Sequence, residues 1–544
     1  MDEKKILFVV HKTSQENYDA CVKSIEELDV PLGYSYQIAA WSKGTNDADA
    51  IGEVYNKLLE ENVAKYKIFI KDTVLFVNET MLKDMINIFQ SDEHIGLIGT
   101  EGTTNIPDSL IFGDADKVYG GKYFLDNNKN VIEKRNLPIN KEYAVAAIIS
   151  STFLAIQYSV KCVEQFVTEN IIGEAQAIAF GRKGYKAVVP KQAVLWCLDV
   201  GNNIDVSQKE KEMLKEYVSR IVASEIDEET KKRLIKEQQG KPLLTIGIPT
   251  YNRSQYLSKC LKAIYEQIED NPLVEVFVSD NDSSDDTATV VNAYKSFGNL
   301  TYYKQKENIG GDNNIDYLYK HAAGNYILVC GDDDYYNWGT VDLILKVISE
   351  NKETAVIGLD WFDSNSHIKH GEGMDDFLLT TARTVTSISS VVLKTRYYRE
   401  LQNKDKFRYT NLNQVYLQMA ILQNHSDFAY VYGKNFQPKS GEAIYVASEG
   451  NDKKRGFCAV FIDQYFDILK FFLDKGLTIM AVKQEKLNLM NYYILNWLNA
   501  IASGSIQGGW KVDDNLAEII EKHYKDEPYY KELLQHLAPY LKGN

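Results

Sequence analysis

Four blocks between Leu243 and Tyr336 pair short apolar strands with acidic or glycine-rich turns: LLTIGIPTYNR (Leu243–Arg253), VEVFVSDNDSSDDT (Val274–Thr287), ENIGGDNN (Glu307–Asn314) and YILVCGDDDYY (Tyr326–Tyr336). Three of the turns run straight into a helical pattern. That order predicts parallel strands whose carboxyl ends gather four polar clusters, where open α/β sheets bind ligands. The last cluster is Asp332–Asp333–Asp334. Three adjacent carboxylates repel one another, and a cation offsets that repulsion. A metal–phosphate ligand is the first expectation.

The remaining sequence narrows the class. A net charge of −15 over 544 residues, with no Lys/Arg-rich run, argues against a nucleic-acid surface. The start, MDEKKILFVVHK, lacks the apolar core of a signal peptide, and no stretch reaches the ~18–20 apolar residues of a membrane-spanning helix. The six cysteines are scattered with no CxxC pair, as expected of buried free thiols in a reducing cytoplasm. The expected location is therefore cytoplasmic. Peripheral membrane contact and homo-oligomerisation stay open.

Along the chain, residues 4–200 alternate strands (Lys5–Val10, Tyr36–Trp41, Tyr66–Ile70, Ile95–Thr100, Tyr185–Pro190) with helices such as Tyr18–Leu28 and Asp49–Asn62. Ser207–Gln239 reads as a charged helical connector. The alternation restarts at Leu243 and runs to about Tyr445. From Phe457 the pattern is helical, with apolar stripes at Phe461–Leu473 and Lys486–Ile501 that read as bundle core. The division is 1–204, a first α/β domain; 205–241, a linker; 242–450, a second α/β domain; and 451–544, a helical domain.

Each cluster has its own chemistry. In Pro249–Thr250–Tyr251–Asn252–Arg253, backbone groups and Tyr251 suit a nucleobase, and Ser254 is placed to cap the next helix. In Asp280–Asn281–Asp282–Ser283–Ser284–Asp285–Asp286–Thr287, Asp285 or Ser284 is a candidate N-cap. Asp280, at a strand end, suits a base imide or a ribose hydroxyl. In Asn308–Ile–Gly310–Gly311–Asp–Asn–Asn314, the glycines let backbone approach a ligand, and the following helix start favours phosphate. The aspartate triplet offers the hard oxygens of an Mg2+ or Mn2+ site.

In this order and spacing the blocks resemble the nucleotide-sugar-binding half of a family 2 glycosyltransferase with the GT-A fold. The resemblance places Pro249, Thr250 and Arg253 at the family's first turn, and Asp280, Asn281, Ser283, Asp285 and Thr287 at its acidic second turn. Asn308, Gly310 and Asn314 match its third element, and the triplet matches the metal-binding DxD. It implies an inverting transfer from a nucleotide-sugar, a UDP-sugar foremost, with Mn2+ or Mg2+ as cofactor. The acceptor is a glycan, a lipid-linked glycan or a glycoprotein. Two registers of the triplet are open. Asp332 and Asp334 are the preferred metal pair, with Asp333 a further donor contact, whereas the other register uses Gly331 and Asp333.

The family's catalytic base is a carboxylate heading a later helix. The matching stretch here is Thr410–Gln414, which has no acid. Asp375 and Asp376 are candidate substitutes, and His367, His370 and His425 are further candidates by residue type.

Residues 4–200 resemble, more distantly, a glycosyltransferase-like GT-A domain. The metal positions implied there are Thr73, in Lys71–Asp72–Thr73, and Leu198, in Trp196–Cys–Leu–Asp199. They cannot supply the carboxylate and the imidazole that the resemblance implies there. This predicts a degenerate domain for acceptor binding or assembly, with metal-independent catalysis through Asp72 as the alternative. The expected fold is two tandem GT-A-like, Rossmann-like α/β domains with mostly parallel sheets, followed by helices. Two other functions are open: a nucleotidyltransferase, which would want a basic Gly-rich first turn that IPTYNR lacks, and a catalytically inactive carbohydrate- or nucleotide-sugar-binding scaffold.

Overall fold

Asp2–His11 (β1), Ser35–Trp41 (β2) and Ala64–Lys71 (β3) are the core of the first sheet, with β1 parallel to both neighbours. The computed structural model describes residues 2–42, 51–126, 128–201, 206–363, 366–408, 410–437, 455–504 and 510–541. It divides into two units, Met1–Val218 and Ser219–Asn544. The division falls inside the helix Gln208–Ser224 of the charged connector, which continues as a second helix, Glu228–Gln238. The expected boundary near residue 204 and the expected end of the second domain, Tyr445–Gly450, lie outside the described residues.

In the first unit, Ile95–Ile98 (β4), Tyr143–Ala146 (β5), Phe153–Ile156 (β6) and Lys186–Pro190 (β7) complete a sheet ordered β2-β1-β3-β6-β4-β7-β5. Helix Gln15–Glu26 (α1) begins where Ser14 accepts a hydrogen bond from the Asn17 amide, a side-chain N-cap. Ile51–Glu61 (α2) and Ile172–Arg182 (α3) also pack in this unit. A second sheet, which includes Val118–Leu125 and Cys197–Asp199, had no counterpart in the sequence reading. Its strands are short or lack alternation, and Val131–Arg135 is exposed throughout.

The main sheet of the second unit has eight strands: Leu244–Thr250 (β8), Val274–Asp280 (β9), Leu300–Lys304 (β10), Tyr326–Val329 (β11), Val356–Leu359 (β12), His367–Glu372 (β13), Val391–Lys394 (β14) and Asp427–Tyr432 (β15). Their order is β10-β9-β8-β11-β14-β12-β15-β13. The half from β10 to β11 is parallel throughout, and β14 joins antiparallel to β11. Buried on both faces, β8, β9 and β11 are near-continuous apolar runs. Their carboxyl ends therefore share one edge of the sheet, and the turns that leave them share one surface.

C-terminal helices Tyr465–Phe471, Ile479–Leu489, Leu495–Ala502, Leu516–Tyr524 and Tyr530–Leu541 share a core with Asn413–Leu422. Both predicted stripes are buried, but each carries one π-helical segment, Ala459–Gln464 or Met490–Ile494. Among the described residues, no helix is long and apolar enough to cross a membrane.

Candidate functional site

The turns after β8 and β11 meet around one guanidinium. Arg253 Nε lies 3.1 Å from Asp332 Oδ1, and its Nη2 lies 3.1 Å from Asp333 Oδ2. The guanidinium stacks 4.7 Å above the Tyr256 ring, on helix Ser254–Ile268. Thr250 Oγ1, at the end of β8, donates to Asp332 Oδ2 at 2.8 Å. Asp332 is buried, and burial pushes its carboxyl up to about 7 against the lowering effects of Arg253 and the Thr250 hydrogen bond. Asp333 and Asp334 push it further the same way. One guanidinium thus leaves the triplet short of positive charge, and hard oxygen donors in that state fit a divalent cation.

Asp334 is held by a different contact. Its Oδ2 accepts from Ser389 Oγ at 2.6 Å, and the Gly331 amide donates to the same hydroxyl oxygen at 2.9 Å. Ser389 escaped the sequence reading; its signal was the polar pair Ser389–Ser390 just ahead of the apolar strand β14. Among the described residues, the metal-like cluster with ligand atoms within 4.8 Å is instead Asp463, Asp467 and His523. There Lys522 Nζ already lies 2.6 Å from Asp463 and 2.9 Å from Asp467, so the acids have their cation. The aspartate triplet is held wider, Arg253 between two carboxylates and Ser389 on the third.

The second turn carries Asp280 at the buried end of β9. Its Oδ1 accepts from the Ser283 amide at 2.8 Å and its Oδ2 from Tyr302 Oη at 2.7 Å. Each oxygen already accepts one hydrogen bond from the chain, so a base or ribose would share the carboxylate with Ser283 and Tyr302 or replace Tyr302. Asp282 is exposed, with φ of +69°, and pairs loosely with Lys304. Capping differs from expectation. Ser254 does not cap its helix; Asp285 does so from the neighbouring turn, accepting the Ser254 amide at 2.9 Å and the Thr287 amide at 3.1 Å. Burial raises the Asp285 carboxyl, but the hydrogen bonds from Thr287 and Ser254 outweigh it and hold the group below its ordinary value. One carboxylate thereby fastens the second turn to the first. Tyr251 is half-buried in the first turn, and Pro249 sits in register with Ser279.

The third turn is tied to the second. Asn281 accepts the Ile309 amide at 2.9 Å and donates to Asn308 Oδ1 at 2.9 Å, which also accepts the Gly310 amide. Gly310 has φ of +83°, a left-handed conformation that favours glycine, and it precedes helix Gly311–His321. A Cβ on Gly311 would meet nothing within 4 Å, so the fold itself makes no demand for glycine there. Asn314 is buried below, accepting from Ser279 Oγ at 2.7 Å and donating to its carbonyl at 2.9 Å. Asn281 and Asn314 hold the turns in place.

Asp375 and Asp376 do not join this surface. They lie in the first turn of helix Gly373–Thr381, directly after β13. That strand runs antiparallel to β15, with Glu372 level with Asp427 where β15 begins. β15 is parallel to β12, which runs with β11, so the two acids sit at the amino end of the sheet. They are also four strands away from β11, roughly 19 Å at the usual spacing. Asp375 accepts from the Thr478 amide and hydroxyl at 2.8 and 2.6 Å, and Asp376 pairs with Lys369 at 2.9 Å. The histidines are packing groups: His367 stacks on Tyr432, His425 stacks on Tyr397, and His370 lies 3.2 Å from Glu350.

In the first unit, Asp72 is fully buried and accepts from the Thr13 amide, the Thr13 hydroxyl and the Ser14 amide at 2.6, 2.7 and 3.0 Å. These bonds hold the loop that starts α1 and leave Asp72 no approach to a substrate. Thr73 Oγ1 touches Asp199 at 3.4 Å, and Lys122 Nζ lies 2.7 Å from the other Asp199 oxygen.

A family model described as "Glycosyltransferase like family" matches residues 7–219, and one described as "Glycosyl transferase family 2" matches residues 245–411. Among curated proteins, the abequosyltransferase RfbV of Salmonella typhimurium is 34% identical over 94 residues, 17% of this chain and 28% of that protein. The GalNAc(5)-diNAcBac-PP-undecaprenol β-1,3-glucosyltransferase of Campylobacter jejuni is 34% identical over 115 residues, 20% of this chain and 35% of that protein. The poly(ribitol-phosphate) β-N-acetylglucosaminyltransferase TarS of Staphylococcus aureus is 24% identical over 240 residues, 42% of this chain and 39% of that protein. The chain thus spans well under half the length of each of these relatives. It carries two domains of the glycosyltransferase kind: a glycosyltransferase-like domain at residues 7–219 and a glycosyl transferase family 2 domain at residues 245–411.

Proposed function

We propose that the family 2 domain transfers a sugar from a nucleotide-sugar, foremost a UDP-sugar, to a hydroxyl of a glycan, lipid-linked or glycoprotein acceptor in the cytoplasm. The observation that carries this reading is the meeting of Thr250, Arg253, Asp332 and Asp333 at the ends of adjoining parallel strands, beside the Asp280 turn. Such a surface offers a base contact at one end and charge for a diphosphate at the other. The relatives' named acceptors, a polyprenyl-linked glycan and a poly(ribitol phosphate), support a glycan or lipid-linked acceptor.

Asp332, with Asp334 once released from Ser389, would hold Mn2+ or Mg2+, and the ion would supply positive charge beside the diphosphate. Thr250 orients Asp332, and Arg253 is placed to turn from the carboxylates to the diphosphate oxygens. Asp280 accepts a hydrogen bond from the base or ribose in place of Tyr302. The acceptor hydroxyl oxygen bonds to the anomeric carbon as the sugar's bond to the diphosphate oxygen breaks, with inversion, and the hydroxyl proton passes to solvent. Thermal unfolding of the full chain with a nucleotide-sugar panel and Mn2+ tests the donor site, since a bound ligand raises the melting temperature. A selective rise that Asp280→Ala removes is expected; no rise with any donor contradicts the reading.

One observation favours a second reading, a nucleotide-sugar-binding protein without turnover. Helix Asn413–Leu422 is headed by Asn411–Leu412 with no acid, and Asp375 and Asp376 stand at the other end of the sheet. A donor that shifts the melting temperature yet releases no diphosphate with any acceptor supports that reading.

A further inference from the structure

In the second sheet of the first domain, Val131–Arg135 is an edge strand exposed at every residue. Among the described residues it pairs with Val118–Leu125 alone, antiparallel, with Glu133 level with Tyr123. The Asn136 amide donates to the Gly120 carbonyl at 3.0 Å on the same side. Hydrogen bonding alternates along an antiparallel ladder, so Ile132 and Lys134 turn their backbone groups toward Val118–Leu125. Val131, Glu133 and Arg135 turn theirs outward. Large apolar side chains are exposed at or near this strand: Val131 at 58%, Leu137 at 42% and Val194 at 50%. An open edge of this kind is a template for another strand.

Charges on an edge usually discourage pairing, but here they fit a copy of the same strand. Side chains alternate between faces, so a copy related by a two-fold axis through the strand pairs residues of equal parity. With the axis at Lys134, Glu133 of each copy stands opposite Arg135 of the other, and Val131 opposite Leu137. Opposite charges and apolar pairs across strands are both favourable. Lys134 then meets Lys134, but within each chain its Nζ already lies 3.5 Å from the buried Glu101 carboxylate, which offsets the repulsion. Axes at Ile132, Glu133 or Arg135 are worse. They set Val131 against Glu133, Glu133 against itself or Arg135 against itself. Arg135 is also held in advance: its Nη1 and Nη2 donate to the Gln192 and Ala193 carbonyls at 2.9 and 3.1 Å, and its Nε pairs with Glu133 of the same chain.

We propose that Val131–Arg135 is a self-association edge, at which a second copy of this chain adds its own Val131–Arg135 antiparallel, across a two-fold axis at Lys134. The outward amides and carbonyls of Glu133 and Arg135 then bond between copies, and the two sheets continue as one.

Sedimentation velocity of the full chain over a concentration series tests this, and a monomer–dimer equilibrium is expected. Glu133→Arg sets arginine against arginine and is expected to weaken the dimer at least about tenfold. Glu133→Arg combined with Arg135→Glu restores opposite charges in the same register and is expected to return the affinity to within about threefold of wild type. Cross-linking fixes the register. The six native cysteines are buried, so a disulfide formed with diamide reports an introduced thiol. Lys134→Cys is expected to give a covalent dimer on a non-reducing gel, and Ile132→Cys, which would stand opposite Asn136, is expected to give none. A chain that stays monomeric, a dimer unchanged in Glu133→Arg, no rescue by the double reversal, or no cross-link in Lys134→Cys beyond that in Ile132→Cys overturns the proposal. Far-ultraviolet circular dichroism confirms folding, and where Glu133→Arg fails it, the cysteine variants decide.

Discussion

Arg253 and Asp332 are 3.1 Å apart, joining the turns that leave two adjoining parallel strands 82 residues apart at Thr250 and Asp332. The pair ties the two turns together at the surface where a cation is proposed to bind. Arg253→Met removes the positive charge paired with Asp332. The expected loss of stability is about 2 kcal/mol, less than for a fully buried pair because the Arg253 side chain is 24% exposed. The same variant is expected to be rescued by Mn2+, with a larger rise in melting temperature than the wild type shows. Equal Mn2+ shifts in the two proteins would separate Arg253 from the metal site.

Ser389 is expected to matter to the triplet although it lies in a different segment. Ser389→Ala removes the donor 2.6 Å from Asp334 and the acceptor for the Gly331 amide. The expected destabilisation is about 2 kcal/mol by urea unfolding, and Ser389→Thr is expected to recover part of it. A neutral Ser389→Ala would mean that Asp334 is oriented by other contacts.

Asp375 and Asp376 are expected to be dispensable for chemistry. Asp375→Asn and Asp376→Asn should leave donor turnover within about twofold, because both lie at the far end of the sheet. Asp375→Ala should instead lower stability by about 1 kcal/mol, through the lost contacts to Thr478 at the start of helix Ile479–Leu489. A loss of turnover beyond tenfold with normal stability would return these acids to the mechanism.

Glu174 gives the first domain a pH dependence. Burial lifts its carboxyl from 4.5 to about 7, against hydrogen bonds from the Phe112 amide and the Ser151 hydroxyl. An acid with a raised folded-state pKa binds its proton more tightly when folded. Its stabilising effect is therefore complete below about 4.5 and is lost as pH rises to about 7. The loss is at most about 3 kcal/mol. Glu174→Gln, which has no charge to bury, should gain stability relative to wild type between pH 5 and pH 7.5 in urea titrations. Parallel curves would contradict it.

The strand–turn order of the second domain was legible because β8, β9 and β11 are buried on both faces and stop at turn residues, a pattern that needs no tertiary information. So were the buried ends Asp280, Asn281 and Asp332. What the sequence concealed was the division of labour inside each turn. Asn281, Asp285 and Asn314 are the residue types that hold a ligand, yet they hold backbone, because turns that project from a sheet edge must satisfy their own amides. Ser389 and Tyr302 were hidden because their partners lie 55 and 22 residues away. The misplaced Asp375–Asp376 pair reflects the antiparallel edge strand β13, whose direction reverses which end of the sheet its following helix occupies.

The central claim is sugar transfer at the triplet, and release of nucleoside diphosphate from the donor selected by thermal shift, with Mn2+, measures it most directly. The account predicts release that EDTA abolishes. It also predicts that Asp332→Asn and Asp334→Asn each reduce release at least about a hundredfold while circular dichroism is unchanged. Release that persists in both variants, or a bound donor that is never turned over, would contradict it.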